Sequence, residues 1–297
     1  MTAVRRAAGY ASYLAYRAMH AVFPSIPTRT GRRLAEGAGR LLYAIAPRMR
    51  ATVAANQAQV LGRPSDDPLV RASTREAFAG YARYWFDTFN VISWPDERVA
   101  EAFRFESLQP VEDALARGKG CVIGLPHMGN WDVAGRAIAI RLAPIVSVAE
   151  HLRPEPLFQL FLRHRAELRM DIVDLESAHV GRQLTKQLER NRIVALVADR
   201  DLGGGGAQVE MFGRTRRMPV GPATLALSSG APLLAAPIRT TPTGWYLRFV
   251  EVTAEPTGRR RDDVLALTRA LAAAFERGIA AAPSDWHLFQ PAWDAAP

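Results

Sequence analysis

The segment Cys121-Val-Ile-Gly-Leu-Pro-His127-Met-Gly-Asn-Trp-Asp132 passes from an uncharged, β-favouring run into a proline, a glycine and a helix start near Asn130. It predicts a buried strand over 121–125 that turns into a helix over about 130–141. The same alternation continues downstream. Strands are predicted at 145–150, 171–175, 193–198 and 208–212, with helices at 155–169 and 178–190. A helix at 222–229, strands at 232–240 and 245–252, and a helix at 262–279 complete the pattern. Strands alternating with helices imply an α/β fold with a central sheet flanked by helices. The strands 232–240 and 245–252 bracket Thr241-Pro-Thr-Gly244, which reads as an antiparallel turn, so the sheet is expected to be mixed.

Upstream the pattern is helical. Residues 66–92 read as one long helix carrying Phe78, Tyr81, Tyr84, Trp85 and Phe89. Tyr81, Trp85 and Phe89 share a face at steps of four, which favours a core stripe over a ligand-binding one. Residues 4–23 are amphipathic, with Val4, Ala7, Ala8, Ala11, Leu14, Ala15, Ala18, Met19 and Val22 at helical spacing and Arg5, Arg6 and Arg17 largely elsewhere. A second helix is predicted at about 28–46 and a third after Pro47. These helices are expected to elaborate the core, so the chain reads as one domain over 1–297, with a basic helical region over 1–64 on an α/β core over 65–297.

Charge divides the chain along the same line. Residues 1–64 hold ten Arg and one acid, Glu36, leaving 28 of the 38 bases and 28 of the 29 acids for a neutral remainder. A basic end on a neutral body points to an anionic partner: nucleic acid, a membrane surface or an acidic ligand. The 36 Arg against 2 Lys are read mainly as the codon bias of a GC-rich genome. For the N-terminal helices, packing on the core and docking on anionic lipid remain compatible, because different faces can serve each.

Several classes are excluded. One cysteine, Cys121, allows no intramolecular disulfide and no Cys-rich metal site. The N-terminus is not expected to be a signal peptide, because Arg5 and Arg6 are not followed by an apolar core and cleavage site. Residues 218–238 are uncharged, but Pro219, Pro222, Pro232 and Pro237 argue against a spanning helix. They read as a short helix from Pro222, a stop at Gly230 and a buried strand. A Gly-x-Ser-x-Gly elbow, a His-Glu-x-x-His zinc helix and a phosphate-binding Gly-Lys-Ser/Thr loop are all absent from the sequence.

The residues left for chemistry sit at strand ends. His127 lies just past a strand's carboxyl end, where ligands bind in open α/β sheets. Asp132 follows in the first helical turn, where it could orient the imidazole or simply favour the helix N-terminus. Asp199 and Arg200 end the strand 193–198 ahead of a four-glycine loop. Asp199 can partner His127 if the two strands are neighbours, and Arg200 can face an anionic substrate. Glu150 ends another strand, with Arg153, Arg163 and Arg165 nearby. The segment 212–219 is read as a loop whose three Arg could receive an anionic headgroup. For Asp285-Trp-His287 packing is favoured over chemistry. With no other nucleophile or metal cluster, a His base serving a substrate hydroxyl is the natural reading.

Pro126-His-Met-Gly-Asn-Trp-Asp132 resembles the His-x4-Asp motif of glycerolipid acyltransferases, and its Gly-Asn-Trp-Asp context is closer to the bacterial lipid A late-acyltransferase superfamily. Within it the chain looks most like the actinobacterial phosphatidylinositol mannoside acyltransferases. The segments carrying this are Val148-Ala-Glu-His-Leu-Arg-Pro-Glu-Pro-Leu157, Ala198-Asp-Arg-Asp-Leu202, Val209-Glu-Met-Phe-Gly213, Arg217-Met-Pro-Val-Gly-Pro-Ala223 and Asp285-Trp-His-Leu-Phe-Gln-Pro-Ala-Trp293. The resemblance implies transfer of a fatty acyl group from acyl-CoA, with palmitoyl-CoA as the expected donor and no cofactor or metal. The implied acceptor is the 6-hydroxyl of the mannose on inositol position 2 of phosphatidylinositol mannosides. It further implies a peripheral protein on the cytoplasmic face of the plasma membrane, with no nucleic-acid partner. His127 takes the catalytic role, with Asp199 as partner where members carry Glu, one methylene longer, and Asp132 as the other candidate. Glu150, Arg165, Arg200, Asn130 and Ser228 are assigned to substrate binding, Ser228 standing where a Glu is expected. Backbone N–H groups of Met128 to Asn130 are the candidate oxyanion donors. The acyl chain is expected against the Tyr81–Trp85–Phe89 stripe or the 218–238 stretch. The competing expectations are another glycolipid acceptor, of lipid A type, and a non-catalytic lipid-binding protein.

Overall fold

A computed structural model of the chain describes residues 3–201 and 203–293, with side chains from residue 7 onward. The side chains of Val4, Arg5, Arg6 and Leu202 therefore lie outside the described residues. The helices α1 (Ala3–Val22), α2 (Thr28–Ile45), α3 (Pro47–Leu61) and α4 (Pro68–Asn90) come first. Helix α5 (Asp96–Ala102), strand β1 (Phe103–Phe105) and helix α6 (Gln109–Ala116) lead to β2 (Cys121–Leu125). Then α7 (Trp131–Arg141), β3 (Ile145–Ala149), α8 (Glu155–Glu167), β4 (Met170–Asp174), α9 (Val180–Glu189) and β5 (Ile193–Val197) alternate. The strands β6 (Ala207–Met211) and β7 (Arg214–Met218) precede α10 (Gly221–Ser229), β8 (Leu233–Ala235), β9 (Ile238–Thr240), β10 (Trp245–Leu247), β11 (Val250–Val252) and α11 (Arg260–Ala281).

The central sheet is mixed, as expected, in the order β11-β8-β2-β5-β3-β4, with only β11 antiparallel to its neighbour. Strand β2 is buried along its whole length because helices cover both faces. Val122, Val146 and Val194 meet Leu184 and Leu188 of α9, Leu225 of α10 and Leu271 and Phe275 of α11. On the other face Cys121, Ile123, Leu125 and Ile193 meet Val133, Ala137 and Ile138 of α7. A strand buried on both faces reads as a continuous apolar run, which is why this segment stood out.

Three expectations need correction. The predicted strand 232–240 is two strands in two sheets. Ala236 makes the last ladder bond, to the Gly124 carbonyl at 2.9 Å, and Pro237 has no N–H to continue it. The chain then enters a small sheet, β1-β10-β9, and returns through β11. The predicted loop 212–219 is mostly strand β7, paired with β6 through a turn at Phe212 and Gly213, both with positive φ. The predicted strand 245–252 is likewise two strands, β10 in the small sheet and β11 in the central one, and the region 93–120, for which no element was predicted, holds α5, β1 and α6, all too short to show a period.

The N-terminal helices elaborate the core. Tyr16 of α1 packs with Leu157 and Leu160 of α8 and Phe89 of α4. Helix α2 reverses the usual amphipathic arrangement. Its glycine face lies on α4: a Cβ on Gly31 would sit 2.0 Å from the Phe86 ring, and one on Gly39 would sit 2.3 Å from the Phe78 carbonyl oxygen. Its leucine face is turned outward, with Leu34 and Ile45 each 65% exposed and Leu41 61% exposed. Tyr10 and Leu14 of α1 are exposed as well.

Candidate active site

Strands β2 and β5 are adjacent and parallel, with Leu125 opposite Val197 and the Ala198 N–H bonded to the Leu125 carbonyl at 2.9 Å. His127 and Asp199, each two residues beyond its strand, are thereby set side by side. His127 Nδ1 lies 2.5 Å from Asp199 Oδ1, and the His127 backbone N–H donates to Asp199 Oδ2 at 3.1 Å. Trp286 Nε1 donates to the same Oδ2 at 2.8 Å, and Arg216 donates to the Asp199 backbone carbonyl. Asp199 is fully buried. Burial alone would raise its carboxyl. The His127 charge and hydrogen bond, the Arg216 guanidinium and the Trp286 N–H outweigh that and hold it well below the usual carboxylate range. An ionised Asp199 fixes the proton on Nδ1 and leaves the Nε2 lone pair free. The His127 side chain keeps 22% of its surface exposed, so the ring is open to solvent.

The turn carrying His127 is fastened from the far end of the chain. The His287 N–H donates to the His127 carbonyl at 2.7 Å, and the Gly129 N–H to the Asp285 carbonyl at 2.9 Å. His287 Nε2 donates to the Gly129 carbonyl at 3.1 Å, and burial pushes the His287 imidazole down to about 3, so it stays neutral. Only glycine fits at position 129: φ is +63°, and a Cβ would lie 2.5 Å from the Ile238 carbonyl oxygen. The Met128 N–H donates to the Pro126 carbonyl at 2.7 Å. Met128 and Gly129 therefore do not offer the oxyanion donors expected of them.

Asp132 does not face His127. Asn130 caps α7, its Oδ1 accepting from the Val133 N–H at 3.0 Å, and this sets Asp132 against the long helix instead. Asp132 is fully buried, accepts the Tyr84 hydroxyl proton at 2.7 Å and pairs with Arg165. Of the two acids, Asp199 is the one in contact with the imidazole. Asn130 is itself buried and committed to the cap, so the structure gives it a positioning place rather than a substrate-facing one.

The sequence profile of bacterial lipid A biosynthesis acyltransferases matches residues 3–295. The chain belongs to that family. It is 38% identical over 245 residues to the phosphatidylinositol mannoside acyltransferase of Mycolicibacterium smegmatis, covering 81% of this chain and 78% of that protein. It is also 38% identical to the protein of the same name from Mycobacterium tuberculosis, over 80% of this chain and 75% of that one.

The other residues assigned from sequence scatter around the His127–Asp199 pair. Glu150 is exposed just beyond β3. Arg165 is taken by Asp132. Arg200 follows Asp199, acts electrostatically on the Tyr81 phenol and has a buried Nε without a hydrogen-bond partner. Ser228 is misplaced: α10 leads into β8, which runs parallel to β2, so its last turn lies where the strands begin, opposite His127. Its hydroxyl donates to the Leu225 carbonyl at 3.0 Å. Two residues gain a place that sequence reasoning did not give them. Trp286 is a ligand of Asp199 rather than plain packing. Arg216 is buried beneath Trp286 and Trp293 rather than waiting for a headgroup. The alternation Arg214–Met218, with Arg216 and Met218 inward, was the available signal, masked by three arginines.

A narrow cavity of about 40 Å³ lies between α7 and the sheet, lined among others by Ile123, Leu125, Trp131, Ile138 and Met170. Trp131, which lines it, stands edge-on to the His127 ring, 5.3 Å between centroids, while His127 itself does not line the cavity. It does not involve the Tyr81–Trp85–Phe89 stripe. Phe89 is buried, Tyr81 stacks on Phe289 at 4.7 Å and Trp85 stacks on Phe89.

Proposed function

We propose that this acyltransferase moves a long-chain fatty acyl group from acyl-CoA to the 6-hydroxyl of the mannose on inositol position 2 of phosphatidylinositol mannosides. The His127–Asp199 contact carries the reading. It supplies an oriented base with a free Nε2, in a chain whose relatives are named for that acceptor. His127 Nε2 takes the hydroxyl proton as the sugar oxygen attacks the thioester carbonyl. The C–S bond then breaks, and the proton passes from His127 to the departing CoA thiolate. Asp199 stabilises the imidazolium between these steps. The reading needs no cofactor. The apolar cavity beside Trp131 is the place where an acyl chain can start to enter.

The family's description favours one alternative, a lipid A-type acceptor. Incubating the enzyme with palmitoyl-CoA and a panel of glycolipids separates the two. Mannosylated phosphatidylinositol is expected to be acylated fastest, and a preference for lipid A precursors would reject the choice made here.

The reading also places the enzyme at an anionic membrane, on the cytoplasmic side. No helix among the described residues is long and apolar enough to cross a bilayer. The support is the outward leucine face of α2, on the same segment as Arg29, Arg33 and Arg48. Such a helix lies in the interface, apolar face inward to lipid and basic groups at the headgroups. Leu34→Asp or Ile45→Asp should weaken binding to vesicles containing phosphatidylinositol by about tenfold or more each, given ~1.5–3 kcal/mol for burying such a side chain. Because both positions are exposed, folding should be unaffected. Unchanged sedimentation with vesicles would remove α2 from the interface.

A further inference from the structure

Helix α1 meets the core at one place that packing alone does not explain. His20 of α1 faces Glu167 of α8, Nε2 to Oε2 at 3.1 Å. One turn before Glu167 stands His164, fully buried, with no hydrogen-bond partner for either ring nitrogen. Its ring packs against Phe89 at 4.6 Å and His20 at 5.6 Å between centroids. A neutral imidazole carries one donor and one acceptor, and buried polar groups are nearly always paired. Two unpaired nitrogens in an aromatic pocket call for a partner. One donor atom each from His20, His164 and Glu167 lies within 4.8 Å of the other two. His164 and Glu167, three residues apart, share one face of α8.

We propose that His20, His164 and Glu167 form a site for a divalent transition metal of the zinc class, which staples α1 to α8. Two imidazoles and a carboxylate are a donor set that suits zinc. Zinc–ligand lengths near 2.0–2.1 Å set donor atoms of a tetrahedron about 3.4 Å apart, close to the His20–Glu167 separation. The side chains of His20 and Glu167 are partly exposed, at 25% and 41%, so they can rotate to close on His164 and admit water as fourth ligand. The site shares no residue with the His127–Asp199 pair. It bears on it only through position, because Arg165, next to His164, pairs with Asp132 at the start of α7.

The test is a titration of metal-free, untagged full-length protein with Co²⁺, read by visible absorption, followed by Zn²⁺ displacement. One equivalent per chain is expected, with the band intensity of a tetrahedral site. His20→Ala and Glu167→Gln should each weaken uptake by more than the ~10–100-fold that loss of an outer-shell partner costs. His164→Phe fills the same apolar space, so it should fold and bind no metal at this site. Absence of stoichiometric uptake, uptake that survives His20→Ala and His164→Phe, or uptake that follows His127→Ala instead would each overturn the proposal.

Discussion

His127→Ala is expected to lower acyl transfer by about 10²–10⁴-fold, the usual worth of a positioned general base. The fold should survive. The imidazole is partly exposed, and the turn is held by main-chain bonds from His127 to His287 and from Gly129 to Asp285, which alanine keeps. Asp199 loses one partner but retains the His127 N–H, Trp286 and Arg216. The measurement is the single-turnover rate at saturating palmitoyl-CoA and acceptor, with near-ultraviolet circular dichroism as the control for packing. A variant that folds and turns over at the wild-type rate would end the mechanism.

Asp199→Asn should cost as much or more, for a different reason. The amide can still accept from the His127 N–H and Trp286 through its oxygen. Its NH2 then faces His127 Nδ1 and forces that nitrogen to accept, so the proton moves to Nε2 and the base is lost. The same exchange in a Ser–His–Asp site costs about 10⁴-fold. Because both residues act as one unit, the double variant should be scarcely slower than either single one, and additive losses would argue that the two act separately. Stability gives an independent reading. The folded Asp199 carboxyl is held below its unfolded value, so its contribution is fully present above about pH 3.9 and is lost as pH falls below that. The stability gap between wild type and Asp199→Asn should therefore shrink in acid, measured by urea unfolding across that range.

Much of this was readable along the chain, and the reasons are local. Five apolar residues ending at Pro126 identify β2, and Ile193–Val197 ending at Asp199 identifies β5. Putting polar residues immediately after both strands is what pairs His127 with Asp199 once the strands are neighbours. The resemblance implied a Glu, one methylene longer, at this position, and Asp199 nonetheless reaches the imidazole at 2.5 Å. Asp132 could not be separated from Asp199 by spacing, because the direction of a first-turn side chain depends on the cap. Asn130 decides it by starting α7 so that Asp132 meets Tyr84 and Arg165. Arg216 was hidden because an inward arginine breaks the apolar alternation that marks a half-buried strand. The exposed leucines of α2 were hidden for a related reason: periodicity shows that a helix has an apolar face but not which way it points. Here Gly31 and Gly39 claim the core side.

The strap at Asp285–His287 gives the enzyme a clock. His287 and Gly129 are 158 positions apart, so β2, β5 and the His127 turn leave the ribosome long before the residues that hold the turn in place. Until those arrive, Asp199 also lacks its Trp286 donor. A nascent or proteolytically shortened chain can carry both members of the dyad and still lack a formed base. The dyad thus takes its described form only after residues 285–287 have been made, when the strands that carry it are already available to receive the strap.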